Sequence, residues 1–133
     1  MFNKMIKKMN KNKSTNQIQR EQHQLDASGR IAGRLASEAA ILLMGKHKVN
    51  YQPNIDAGDF VEIANVDKMK FSGNKMEQKV YYHVTGYIGG VRETPLKKFF
   101  QEKPDELFIK MIKNMLPKNK LRKEMLKRLT FKK

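Results

Sequence analysis

Three aspartates and three histidines are the side chains of this sequence with the most obvious capacity for catalysis. Asp26, Asp56 and Asp59 stand among basic residues, and His23, His47 and His83 are spread along the chain. A metal-dependent nuclease could be built from Asp56, Asp59 and His83, because phosphodiester hydrolysis needs carboxylates grouped around a metal and a proton carrier. No carboxylate cluster stands out in the linear order. The histidines lack a His-x-x-x-His spacing and the chain has no cysteine, so a metal site is not expected. Base stacking or a structural role is the better reading of the histidines. Asp26 is expected to cap a helix, and Asp56 and Asp59 to shape loops or form ion pairs.

Other residues are suited to holding a polyanion. Tyr82, His83 and Tyr87 lie in or beside the glycine-rich stretch Thr85-Gly86-Tyr87-Ile88-Gly89-Gly90, with Arg92 just beyond. Glycines let backbone N–H groups approach phosphate, the rings can stack on unpaired bases, and arginine can pair with phosphate. A strand end followed by a turn explains the same residues, and composition alone leaves both readings open. There is no Walker sequence and no G-x-G-x-x-G, so a nucleotide site is not indicated. Lys46-His47-Lys48 is a basic run that suits phosphate or simple solvation. Arg30 and Arg34, four apart, share a helix face, where they can meet phosphate or pair with Glu38. Residues 110–133 carry ten Lys and Arg against Glu124 alone, a density that repels itself unless an anion neutralises it. A membrane-surface helix is the competing reading of that segment, but its apolar face (Leu121, Met125, Leu129) is thin and has no Trp.

The elements that must position these residues follow from periodicity. Residues 30–44 predict a helix through Ile31, Leu35, Ala39 and Leu42-Leu43, with Ser28 as N-cap and Gly45 as its stop. Residues 59–65 predict a strand. Lys68-Met69-Lys70-Phe71 alternates like an edge strand, Ser72-Gly73-Asn74-Lys75 is a turn, and residues 79–84 form a further strand. Thr94-Pro95 caps a short helix with Leu96, Phe99 and Phe100. Pro104 opens another helix, with Asp105-Glu106 in its first turn, an apolar face of Phe108, Met111, Ile112 and Met115, and a stop at Leu116-Pro117. Leu121, Met125 and Leu129 suggest a last basic helix. Interleaved strands and helices imply an α/β domain, three layers α/β/α around a central, mostly parallel sheet of about four strands. The sheet is mixed if the strands on either side of Gly73 pair as a hairpin.

Composition sets the class. The chain has 133 residues, enough for one domain with a true core and no need of disulfide or metal staples. With 28 Lys and Arg against 13 Asp and Glu, its net charge is +15. Such an excess destabilises a compact monomer and points to a polyanionic partner. No apolar run approaches the roughly 18 residues of a membrane helix. Residues 1–24 are basic, rich in Asn, Gln and Lys, and acid-free before Glu21; they are read as a disordered basic arm rather than a transit sequence. The domain is therefore expected over residues 25–133.

Several short motifs, in order, resemble one family. Asp26-Ala27, Gly33-Arg34-Leu35-Ala36-Ser37 and Gly45-Lys46-His47-Lys48 come first, followed by Tyr51, Pro53, Asp56, Gly58-Asp59 and Asn65. Gly73-Asn74-Lys75, Lys79-Val80-Tyr81-Tyr82-His83, the glycine-rich stretch and Met115-Leu116-Pro117-Lys118 complete the series. Together they resemble the bacterial-type large-subunit ribosomal protein thirteen family over roughly residues 25–130. The resemblance implies an α/β/α domain that binds 23S-type ribosomal RNA early in large-subunit assembly, beside neighbouring ribosomal proteins. It implies no enzymatic activity, cofactor, small-molecule substrate or membrane. It implies a ribosomal location, in the bacterial cytoplasm first and an organelle such as the mitochondrion second. An RNA-binding regulatory role outside the ribosome is the alternative, and a nuclease the remote one. The RNA contacts expected are Arg30, Arg34, Lys46, His47, Lys48, Lys75, Lys79, Tyr82, His83, Thr85, Tyr87, Arg92, Lys113, Lys118, Lys120, Arg122 and Lys123. Three departures stand out. Glu21-Gln22-His23-Gln24-Leu25 replaces an apolar, aromatic first strand, which is expected to be short, exposed or frayed here. Lys118-Asn119-Lys120-Leu121-Arg122-Lys123 lacks the usual glycine pair. The family's tail beyond the position of Phe131 is not matched, so its contacts are expected to be missing or replaced.

Overall fold

The computed structural model describes residues 18–132. Strands β1 (Gln22–Asp26), β2 (Phe60–Ala64) and β5 (Leu129–Lys132) form a parallel sheet in the order β1-β2-β5. Period-two alternation explains β2: Val61 and Ile63 are fully buried, while Phe60, Glu62 and Ala64 occupy the other face. In register, His23 lies opposite Val61, and Leu25 and Phe131 flank Ile63. The α/β class and the parallel sheet are as expected. The layering is less even than expected. Gln24, Glu62 and Thr130 share a polar face, which among the described residues is exposed or half-buried.

Helix α1 (Ala32–Met44) supplies much of the core through Ala32, Leu35, Ala36, Ala39, Ala40 and Leu43. Its alanines keep the face flat, and helix α4 (Pro104–Met115) packs there with Leu107, Phe108 and Ile112. Gly45 ends α1 as expected. At φ 75° it completes a Schellman turn, with its own N–H on Leu42 O and that of Lys46 on Ile41 O. Ser28 is not the N-cap: its N–H donates to Asp26 Oδ1, 3.0 Å, and the helix begins after Ile31. The Lys70 carbonyl instead accepts the Ala32 N–H at 2.8 Å. Residues 68–71 therefore contribute a single bridge, Ile31 to Lys70, and not the expected edge strand.

The antiparallel pairing is also displaced from Gly73. The turn at 72–75 leads into helix α2 (Lys75–Gln78). Strand β3 (Val80–Val84) pairs with β4 (Val91–Pro95), across the glycine-rich stretch. Helix α3 (Leu96–Glu102) follows at once. Its Phe99 meets Tyr81 edge-on at 5.7 Å and its Phe100 meets Phe71 at 5.4 Å, anchoring the hairpin base. The long basic C-terminal helix is corrected too. Helix α5 covers only Arg122–Lys127, and Leu129 begins β5. Leu129 fits both the four-residue spacing from Met125 and the alternation Leu129-Thr130-Phe131-Lys132; the vacant sheet edge beside β2 selected the second.

Strand β1 takes Gln22, His23 and Gln24 from the stretch assigned to the arm. Arg20 and Gln19 also touch the domain, through Asp56 O at 3.1 Å and Lys48 Nζ at 2.7 Å. The rest of that stretch, residues 1–17, lies outside the described residues.

Two glycines set how closely the end of α1 meets the loop entering β2. A Cβ on Gly58 would run into the Leu43 backbone carbonyl, and one on Gly45 would sit 2.9 Å from the Ala57 carbonyl. Backbone cannot rotate away as a side chain can. Gly58→Ala is expected to destabilise the domain at or beyond the upper end of the roughly 1–3 kcal/mol typical of overpacking. Gly33→Ala, inside α1 with open space at its Cβ position, should be neutral or stabilising by up to about 1 kcal/mol. Urea denaturation of the two variants measures the contrast.

Candidate nucleic-acid interface

The β3–β4 hairpin presents the predicted aromatic set. Its tip is closed by the Thr85 N–H on Gly90 O at 2.8 Å and the Gly90 N–H on Tyr87 O at 2.9 Å, with Gly86 and Gly89 at φ 90° and 73°. The Thr85 hydroxyl also donates to Gly90 O, 2.9 Å, so this side chain holds the turn. Alternation sorts the hairpin. Tyr81 turns inward to Phe99, under the Lys110 ammonium at 4.4 Å from its ring, with Lys79 at 5.2 Å. His83 lies directly opposite Arg92 on that same face. Tyr82 lies on the other face, 62% exposed, and Tyr87 at the tip is 83% exposed. These rings need no partner within the domain and can stack on bases.

The remaining predicted contacts divide. Arg34, Lys46, Lys75, Lys79, Lys113, Lys118, Lys120 and Lys123 are exposed, and among the described residues none forms an ion pair. Lys75 reaches Ser72 Oγ at 3.3 Å. Arg122 is half-buried; its Nη1 donates to Lys113 O at 3.5 Å, joining the start of α5 to the end of α4. Arg30 pairs with Glu38 at 2.5 Å across the surface, and Arg34 does not pair with it. His47 and Lys48 turn inward to Asp59. Lys48 Nζ donates to Gln19 O, Ala57 O and Asp59 Oδ1, which uses all three of its N–H donors inside the domain.

Among the described residues, two charged side chains are buried. Arg128, counted among the basic residues of the C-terminal segment, is only 5% exposed. Its Nη1 and Nη2 grip Asp56 at 2.5 and 2.6 Å, and its other N–H groups donate to the carbonyls of Leu43, Asp59 and Glu124 at 3.0 to 3.3 Å. All five donors of the guanidinium are engaged. The only sequence trace of this role is the acidic loop 56–59, for which ion pairing is one of the two readings. Asp59 is fully buried. It accepts from Lys48 and the Glu21 N–H on Oδ1, with His23 Nε2 at 3.0 Å and His47 Nε2 at 2.9 Å from Oδ2. Burial pushes this carboxyl up, but the hydrogen bonds from Lys48, Glu21 and His23 together outweigh it and hold it at about 2. His23, His47 and Asp59 are thus brought within 4.8 Å of one another, donor atom to donor atom, although they are scattered in sequence. Asp26 is also lowered, by the Ser28 N–H and the Asn65 amide.

A family model described as "Ribosomal protein L13" matches residues 20–131. The chain belongs to the ribosomal protein L13 family. Relatives named "Large ribosomal subunit protein uL13" agree. That of Solibacter usitatus is 51% identical over 114 residues, covering 86% of this chain and 80% of the relative. That of Thermoanaerobacter sp. (strain X514) is 47% identical over 113 residues, 85% and 79% of the two chains. That of Chloroflexus aurantiacus (strain J-10-fl) is 43% identical over 113 residues, 85% and 78%. As a member of the L13 family the chain is a structural constituent of the ribosome and not an enzyme. The geometry adds nothing to the nuclease reading: both carboxylate oxygens of Asp56 are taken by Arg128, and His83 lies on the hairpin opposite Arg92. Among the described residues no helix is long and apolar enough to cross a membrane.

Two predictions concern the buried charges. Arg128→Ala leaves Asp56 without its main partner and should cost about 3–5 kcal/mol in urea unfolding. Asp59 has a folded value below its ordinary 3.8. Its contribution is therefore present above about pH 4 and lost as pH falls towards 2. The unfolding free energy of the parent protein should drop more steeply than that of Asp59→Asn across this window. Parallel slopes would contradict the assignment.

Proposed function

We propose that this chain binds large-subunit ribosomal RNA and stabilises its fold early in assembly of the large subunit, next to neighbouring ribosomal proteins in the bacterial cytoplasm. The observation that carries the reading is how the cations are divided. Arg128 and Lys48 are consumed by the fold, whereas Arg34, Lys46, Lys113, Lys118, Lys120 and Lys123 are exposed without a carboxylate partner among the described residues. Each phosphate neutralised by such a side chain releases counterions, and that release favours binding. The hairpin adds rings for splayed bases and Arg92 for phosphate, a combination suited to RNA shape and unpaired nucleotides. The bacterial relatives carry the large-subunit name, which supports the same partner and compartment.

The test is a salt titration of binding to fragments of 23S-type RNA. Changing Lys118, Lys120 and Lys123 together to Ala should flatten the plot of log affinity against log salt by about 0.7–0.9 for each phosphate no longer neutralised. Lys48→Ala should leave that slope alone and lower the unfolding midpoint instead. Tyr87→Ala should weaken binding by roughly 1–3 kcal/mol if its ring stacks on a base. Binding no stronger than to an unrelated structured RNA, with a slope indifferent to the lysines, would overturn the proposal.

A further inference from the structure

We propose that His23, His47 and Asp59 form a binding site for a first-row transition dication of the zinc type, clipping strand β1 and the end of helix α1 to the start of β2. Three separate parts of the fold supply the donors. His23 lies on β1 opposite Val61, His47 follows the Gly45 turn, and Asp59 precedes β2. Both imidazoles bring Nε2 close to the same oxygen, Asp59 Oδ2: His23 hydrogen-bonds it at 3.0 Å, and His47 Nε2 lies 2.9 Å away, with the rings nearly perpendicular at 5.7 Å. The other oxygen is already taken by Lys48 and the Glu21 N–H. The carboxylate is thereby fixed in rotation and kept ionised, with one oxygen presented to two nitrogens.

That geometry suits a metal. In the metal-free form the His23 imidazole must carry its hydrogen on Nε2 to bond the carboxylate. Without that hydrogen, the two Nε2 atoms and Asp59 Oδ2 offer three donor atoms within 4.8 Å of one another. At a tetrahedral centre, metal–ligand bonds of about 2.0–2.2 Å place neighbouring donor atoms about 3.3–3.6 Å apart, within reach of small side-chain shifts from a cluster whose donor atoms lie within 4.8 Å of one another. Two imidazoles with one carboxylate favour zinc, cobalt or nickel over magnesium or calcium, which prefer oxygen ligands. The histidine side chains are 27% and 31% exposed, so an ion can enter and water can complete its coordination. The net charge of +15 opposes any cation, and Lys48 offsets much of the Asp59 charge. Affinity must therefore come from imidazole ligation, which again selects a transition metal. Two of the three histidines of the chain converge here, and the third, His83, lies on the hairpin as an internal control. Residues 1–20 contain no His, Cys, Asp or Glu side chain that would compete.

The site has a structural purpose that does not depend on RNA. Strand β1 is polar, with Gln22 and Gln24 exposed, and His23 sits where an apolar first strand would otherwise bury itself. A metal bridging residues 23, 47 and 59 would hold that strand in the sheet.

The experiment is a calorimetric titration of the metal-stripped full chain with Zn2+, and an optical titration with Co2+. Both are repeated on His23→Gln, His47→Gln and His83→Gln after circular dichroism confirms their fold. One ion per chain is expected, bound tighter than about 10 μM. Binding should weaken as pH falls, because protons compete for the imidazoles. His23→Gln and His47→Gln should each lose at least about tenfold in affinity, and His83→Gln none. Zn2+ should raise the unfolding midpoint of the parent chain and not of His23→Gln. His23→Gln alone suffices if His47→Gln does not fold. Equal affinity in the parent chain and His23→Gln, or no saturable binding below about 1 mM, would overturn the site and leave the three residues as a hydrogen-bonded cluster only. Neither result bears on the salt dependence of RNA binding.

Discussion

The fold closes around one guanidinium. Arg128 stands between α5 and β5, and its five N–H groups reach the carboxylate of Asp56 and the carbonyls of Leu43, Asp59 and Glu124. Those acceptors belong to the end of α1, the loop into β2 and α5. A side chain beside the last strand thus satisfies groups on nearly every segment around one end of the sheet. A charge so buried is tolerable only because each donor has an acceptor. The arrangement also requires the loop to lie against the helix end, which is why Gly58 touches the Leu43 carbonyl.

Asp59 repeats the principle with the opposite sign. It is the first carboxylate before β2, wholly buried, and collects Lys48, the Glu21 N–H and two imidazoles. The two clusters are adjacent, since Arg128 Nε donates to the Asp59 carbonyl. Together they tie β1, α1, β2 and the start of β5 to one another at one end of the sheet. The consequence for function is a sorting of charge. Lys48 and Arg128 are fully bonded inside the fold, whereas exposed cations such as Arg34, Lys46, Lys118, Lys120 and Lys123 have no carboxylate partner among the described residues.

The hairpin is built on different physics. Its base is fixed by aromatic contacts, Tyr81 on Phe99 with Lys110 over the ring. Beyond that base, residues 82–89 are exposed, so nothing within the domain defines a partner for Tyr82 or Tyr87. A rigid base with an open tip suits recognition of an irregular surface, because the rings are placed without being covered.

Sequence alone determined the features that local chemistry governs. Helix α1 with its Gly45 stop, helix α4 (Pro104–Met115), the β2 alternation and the positive surplus all follow from spacing and composition. The family was legible for the same reason, since short motifs in fixed order survive without knowledge of contacts. Tertiary structure alone decided the rest. Leu129 fits two periods at once, and only the open edge of β2 made it a strand. Val91-Arg92-Glu93-Thr94-Pro95 has no strong strand signal until β3 lies beside it. Glu38 pairs with Arg30, eight residues away, and not with Arg34, four residues away. Lys48 and Arg128 are indistinguishable from surface cations in a one-dimensional reading. His23 and His47 meet Asp59 across separations that no local pattern encodes, because long-range ion pairs and side-chain convergence depend on where the sheet brings the chain back.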